Sequence, residues 1–497
     1  MTAERYKLPK GWVWTKLRTI CKINPKHPKD IVSANTPVSF VPMSSIDAEK
    51  GEIIDPQTRP FGKVRKGYTH FANGDVLLAK ITPCMENGKA AIAKDLHNGV
   101  GCGTTELHIL RPLGSILSEL IFYYIRQINF RRRAEANMSG TAGHLRVPVD
   151  FIGESDFPLS PFPEQKRIVQ KIEILLGHLN KTRQELAKIP PLIKKFRQSV
   201  LVKAFSGELT KEWRDQQENL EPASALLARI REERKKKLSK KYREPEPIDT
   251  SNLPELPEGW KWTRTKEIGE VVTGSTPKTQ VSEYWNGNIV WLTPKDLGRN
   301  NSKYISDSKR RITQKGYKSC STKLIPKNSI VLSTRAPIGH VSVVQVDFCT
   351  NQGCKSIISA KEICSDYLYY LLLHNRKHLQ SLGSGTTFSE LAKDKLENFL
   401  VPLPCFIEEP QIVKRIEALF ARADSIEKAV QGVQAHCEKL NESILIKAFR
   451  GELVEQDPDD EPASMLLKKI KSEKSRVEEV YMKQDKKQIF KPQDVLN

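Results

Sequence analysis

The side chains able to do chemistry in this chain lie in short polar loops, and few have a spacing that commits them to catalysis. His374 and His378 stand four residues apart, the separation that puts two imidazoles on one helix face for a metal. Arg376 and Lys377 lie between them and no glutamate follows, so a solvated helix face is the better reading. Pro458-Asp459 with Glu473 and Arg476 resembles a nuclease core only loosely, in a polar tail without strand pattern. Gly99-Val100-Gly101-Cys102-Gly103 and Gly383-Ser384-Gly385 read as turns rather than cofactor loops. No GxxxxGK[ST] phosphate loop occurs, which argues against ATP hydrolysis. The single double proline, Pro190-Pro191, is followed by no aromatic residue, so the Asn-Pro-Pro-Tyr/Phe signature of amino-methyltransferases is missing.

What remains suits recognition. In the first half, Lys80, Thr82, Asn87 and Lys89 fall in one polar run, Thr105 in a second, and His144 and Arg146 in a third. In the second half the corresponding candidates are Thr334 and Arg335, then Asn351, Gln352 and Lys355, then Thr386 and Thr387. Polar side chains in loops can reach base edges while Lys and Arg hold phosphates, so these residues are candidate DNA contacts. A turn role stays open for each. The net charge of +21 on 497 residues points the same way, because a polyanion partner uses such an excess and a neutral small substrate does not. A basic run from Arg229 to Arg243 is either a solvated face or a phosphate contact.

These loops must be held by something, and the chain carries its frame twice. Apolar residues at Ile168, Ile172, Leu175, Leu179, Leu186, Ile189, Ile193, Phe196 and Val200 alternate steps of three and four, the repeat of a helix with a partner helix. Adding 244 gives Ile412, Ile416, Leu419, Ala423, Val430, Val433, Cys437, Leu440 and Ile444, with Ile426 opposite Thr182. Two such seams can satisfy each other as an antiparallel coiled coil. Pro190-Pro191 predicts a kink or break in the first copy, and Gly432 is the weak point of the second. Leu8-Pro9-Lys10-Gly11-Trp12 recurs as Leu256-Pro257-Glu258-Gly259-Trp260, and Lys203-Ala204-Phe205-Ser206-Gly207-Glu208-Leu209 as Lys447-Ala448-Phe449-Arg450-Gly451-Glu452-Leu453. Outside these landmarks the two globular segments differ almost completely. The fold expected is α+β: two mainly β modules with some helices, joined by two long helices in a pseudo-twofold tandem repeat. Its blocks are residues 1–157, spacer helix 158–215, basic helix and linker 216–252, second module 253–401, spacer helix 402–455 and helical tail 456–497. No apolar run reaches membrane-span length, the start has no signal-peptide pattern, and nine scattered cysteines read as reduced thiols, so a cytoplasmic protein is expected.

The ordered landmarks, together with Pro158-Leu159, Pro402-Leu403, Thr273 to Pro277 and Trp291 to Leu297, resemble the specificity subunits of type I restriction-modification systems over nearly the whole chain. The resemblance implies a non-catalytic subunit whose two target recognition domains each read one half of a split, asymmetric duplex DNA sequence. It implies two modification subunits, which bind S-adenosylmethionine and methylate adenine, and restriction subunits that use ATP and Mg, with no cofactor in this chain. The competing readings are a DNA methyltransferase carrying its own recognition domain and an RNA-binding scaffold.

Overall fold

The computed structural model describes residues 5–25, 33–141, 143–239, 242–335, 337–384 and 389–489, with side chains as far as Arg476. Thr386 and Thr387 lie outside the described residues. The chain forms two compact units, residues 1–186 with 432–497, and residues 187–431.

In the first unit one antiparallel sheet has the order Cys21–Ile23, Leu107–Pro112, Val76–Ala79, Ala90–Ile92. A second sheet has the order Gln57–Pro60, Pro37–Val41, Val100–Gly103, Thr69–Ala72, with one parallel pairing between Pro37–Val41 and Val100–Gly103. The second unit repeats this plan. Gly269–Thr273, Cys354–Ser359, Ile330–Ser333, Val341–Val344 and Tyr304–Ile305 make its larger sheet, and Trp285–Leu292 pairs in parallel with Phe348–Thr350 in its smaller one. Val76–Ala79 and Ile330–Ser333 are buried at every residue, as strands covered on both faces are, so their sequences run apolar without alternation. Each is entered through a turn with a positive φ, at Gly74 (+87°) and Asn328 (+66°). Modules with almost no common sequence thus share a core strand order, although their sheets hold four and four strands in the first and five and three in the second.

The repeated landmarks prove to be one structural lock, built once in each unit. Trp12 Nε1 donates to buried Glu164 at 2.9 Å, and Trp260 Nε1 to buried Glu408 at 2.8 Å. The carbonyl of Gly11 accepts from Ala463 N, and that of Gly259 from Ala223 N, both at 2.8 Å. Gly451 (φ +73°) and Gly207 (φ +77°) lie under Pro9 and Pro257, where a Cβ would come within 2.3 Å of the proline ring in either case. The left-handed backbone and the close approach each require glycine there.

The first long helix is interrupted once. Phe162–Ala187 ends before Lys188 and a new helix, Ile189–Phe205, starts with Pro190 and Pro191 in its first turn, where proline's missing N–H costs nothing. The second copy runs unbroken as Glu408–Arg450, through Gly432. The helices are antiparallel within the second unit, since Arg415 reaches the carbonyl of Leu209 while Arg197 reaches Asp424 and Glu427. The seam differs from its sequence reading. Ile172, Leu179, Ile193, Val200, Ile416, Ala423, Val430, Cys437 and Ile444 are buried, but Phe196, Ile426, Val433 and Leu440 are 41, 50, 44 and 42% exposed. Those four seam positions therefore face away from the chain's own core.

The histidine pair departs from expectation in part. Asn375 separates Ser365–His374 from Arg376–Ser381; His374 is half-buried against the Phe205 ring, whereas His378, beside the Phe399 ring, is exposed as a solvated face requires.

Candidate nucleic-acid interface

Three polar loops meet at one end of the sheet that contains Val76–Ala79 in the first module and Ile330–Ser333 in the second, and backbone hydrogen bonds fix their register. In the first module Lys80 N donates to Glu106 O, and Val147 N to Lys80 O. In the second, Thr334 N donates to Gly353 O, and Leu391 N to Thr334 O. Lys80 and Thr334 are thus equivalent, as are Val147 and Leu391. Beyond these, Ile81 bridges Arg146 and Ser139 bridges Arg146, while Arg335 bridges Glu390 and Ser384 bridges Glu390. The strand pairings Leu78 with His108 and Leu332 with Lys355 make His108 and Lys355 equivalent too.

That last pair stabilises the returning loop. His108 is buried, and its Nε2 lies 2.8 Å from Val147 O; its Nδ1 faces Asn24 Nδ2 at 3.2 Å. Asn24 Oδ1 accepts from Ile109 N, which leaves its amide N–H to donate to Nδ1 and puts the imidazole proton on Nε2. Burial lowers the His108 pKa and favours this neutral form. Lys355 Nζ does the same work at 2.7 Å from Leu391 O. Burial lowers its pKa, opposed by Glu390 at 3.4 Å.

The candidate contacts divide by exposure. Asn87, Thr105, His144 and Gln352 are exposed, and Lys80, Thr82 and Asn351 are half-buried. The Thr82 hydroxyl donates to Glu86, and Asn351 Oδ1 accepts from Gly353 N, so both also shape their own loops. Lys89 turns inward to Met43 O at 2.8 Å. Thr334 and Lys355 are corrections to the sequence reading: they are 0 and 2% exposed and hydrogen-bonded within the module, so neither reaches a ligand surface. Arg146 pairs with Glu106 through Nε and Nη2 at 2.8 and 2.9 Å, and Arg335 with Glu390 at 2.7 Å. Glu106 is held below the usual carboxylate range by its Arg146 hydrogen bonds; at Glu390 partial burial works upward but Arg335 and Lys355 outweigh it. Glu390 escaped the sequence reading; Glu106 and His108 lie in the polar run around Thr105, but no local spacing singles them out. The basic run spends Arg229, Arg231, Arg234 and Lys235 on partners inside the unit. Among the described residues no group of three or more potential metal ligands gathers.

Residues 257–433 match the family model described as the type I restriction modification DNA specificity domain. The type I restriction enzyme EcoEI specificity subunit of Escherichia coli is 31% identical over 494 residues, covering 86% of this chain and 81% of that relative. The EcoAI specificity subunit of the same organism is 35% identical over 322 residues, and there the match spans about half of each protein, 55% of this chain and 54% of the relative. Among solved structures, a chain of a type I R-M system superposes with a TM-score of 0.68 at 22% identity, covering 90% of this chain and 100% of that one. The HsdS subunit from Thermoanaerobacter tengcongensis gives 0.60 at 21% identity, over 91 and 100%. Those two likenesses establish a shared fold, which agrees with the α+β modules and long helices described above. With the repeated locks in place and a relative matched over most of its length, the chain belongs to the type I restriction enzyme specificity subunits.

Proposed function

We propose that this chain is the sequence-reading subunit of a type I restriction-modification complex, and that it supplies recognition without a bond-breaking step of its own. Residues 1–157 and 253–401 would each read one half of a bipartite, asymmetric duplex target. The observation that carries this reading is the pairing of one shared core strand order with different loop chemistry at the same register. A repeated frame with divergent loops suits two readers of two different sequences. S-adenosylmethionine, ATP and Mg would belong to partner subunits. Replacing residues 1–157 by another recognition domain is expected to change one half of the methylated sequence and leave the other half intact. Methylome sequencing of a host carrying the complete system reads this directly, and a simultaneous change in both halves overturns independent reading.

The modification subunits would dock on the long helices. Leu419, Ile426, Val433 and Leu440 lie seven apart on the continuous helix Glu408–Arg450, and the last three are more than 40% exposed. A row at that spacing is what a partner helix packs against. Ile426→Ser with Leu440→Ser is expected to weaken association with modification subunits at least tenfold while costing the chain only about 2 kcal/mol of stability, because the side chains are already half in water. Co-purification and a thermal melt separate the two effects. Unchanged association would remove these positions from the docking face.

A further inference from the structure

The two ion pairs at the loop cluster share a geometry that their sequences disguise. Arg146 stands on the returning loop and its carboxylate, Glu106, at the start of a strand; in the second module the returning loop carries the carboxylate, Glu390, and the outgoing loop carries Arg335. Arg146 and Glu390 thus hold equivalent places on the returning loop with opposite charge, and their partners do not correspond, since Glu106 matches Gly353 and Arg335 matches Ile81; in both pairs the arginine is nonetheless the more exposed member. The arginine side chains are both 43% exposed, over carboxylates that are 24 and 33% exposed. A simple loop latch has no need to keep the guanidinium outermost in both modules. Arg146 commits three of its five N–H groups among the described residues, two to Glu106 and one to His144 O at 3.1 Å. An N–H remains on each terminal nitrogen. Arg335 commits one N–H, to Glu390, and Glu390 is itself steadied by buried Lys355.

From this we infer that Glu106 and Glu390 are positioning residues, each holding one arginine so that its free edge reads a guanine, one in each half of the target. The inference rests on the duplex-reading function proposed above. Guanine offers two adjacent acceptors, O6 and N7, on its major-groove edge, which match two parallel N–H groups of one guanidinium. A carboxylate behind the arginine removes the rotamer freedom that would otherwise be lost on binding. Glu106 and Glu390 touch no base; they act through Arg146 and Arg335.

The test uses the full chain and a pool of randomised duplex DNA. The wild-type chain is expected to enrich a two-part sequence with a guanine in each part. Glu106→Gln should relax one guanine in one half by about tenfold, within the range for a bidentate base contact, and Glu390→Gln one guanine in the other. Each variant's unaffected half is its internal control. Replacing the affected guanine by 7-deazaguanine should cost the wild type a similar factor and cost the Glu106→Gln variant nothing further, a non-additivity that a loosened fold would not give. Should Glu106→Gln melt early, Arg146→Lys keeps the charge, loses the fork and is expected to show the same base-specific loss. A two-part motif lacking guanine, or variants that retain every preference, overturns the inference while the reading function stands. A pool that enriches no motif overturns both.

Discussion

Replacing Arg214 by alanine is expected to destabilise the second unit by about 3–5 kcal/mol, the usual result of stranding a buried charge. Glu408 is fully buried and accepts from Trp260 Nε1 at 2.8 Å, Thr210 Oγ1 at 2.7 Å and Arg214 Nη1 at 2.6 Å. Arg214 is 14% exposed, also donates to Gly207 O at 3.0 Å and lies over the Trp260 ring. The Arg214→Ala variant leaves only neutral donors, Trp260 Nε1, Thr210 Oγ1 and the weak Cys405 thiol at 3.6 Å, to support a carboxylate that water does not reach. Truncation costs more than the pair contributes, because the lone charge is worse than either the pair or no charge. The double variant Arg214→Met with Glu408→Gln should therefore recover most of the loss. For a unit of this size the single variant's melting transition should fall by roughly 10 °C, and a drop of under about 2 °C would mean that water or another group replaces the guanidinium. The first unit provides a natural comparison, since Glu164 has Trp12 and Gln456 as partners instead of an arginine, and burial raises its pKa.

That comparison shows how unevenly the sequence exposes the fold. The helices were legible because a 3.5-residue repeat is a local property, and the landmarks because a lock needs tryptophan, glycine and proline at fixed places. The periodicity does not say what each apolar residue meets: Val200 is buried while Phe196 is half in water, although both belong to the same stripe. Nor does it reveal that residues from both chain ends form one compact unit. At the site, the loops picked out by sequence meet in the structure and several of their residues are exposed, but Thr334 and Lys355 proved internal. Glu106 and Arg146 are forty positions apart, and Arg335 and Glu390 fifty-five, so nothing local couples them. Their likeness was further hidden because the same place on the returning loop carries the arginine in one module and the glutamate in the other, with the partner supplied from a different loop each time.

Glutamine at position 409 is expected to stabilise the chain, and by an amount that grows with pH. Glu409 is fully buried; its Oε2 accepts from Cys364 N at 2.6 Å, and its Oε1 is buried without a hydrogen-bond partner. Burial raises its pKa to about 8, with the Cys364 hydrogen bond opposing. An acid whose pKa is higher in the folded state binds its proton more tightly there, so folding is favoured at low pH. The favour disappears as pH rises from about 4.5 in the unfolded chain to about 8 in the folded one. The accumulated penalty reaches up to about 3 kcal/mol at pH 7 and about 5 kcal/mol above pH 8. The chain supplies its own precedent, because the position 244 residues earlier is Gln165, also buried, with Nε2 donating to Ser160 O at 3.0 Å. Glu409→Gln should leave stability near the wild type's at pH 4.5 and exceed it increasingly up to pH 8, in thermal melts of the two proteins side by side. Curves that stay parallel across that range would show that Glu409 ionises in the folded chain as easily as in water, and its buried site would then need a cation or solvent path to explain it.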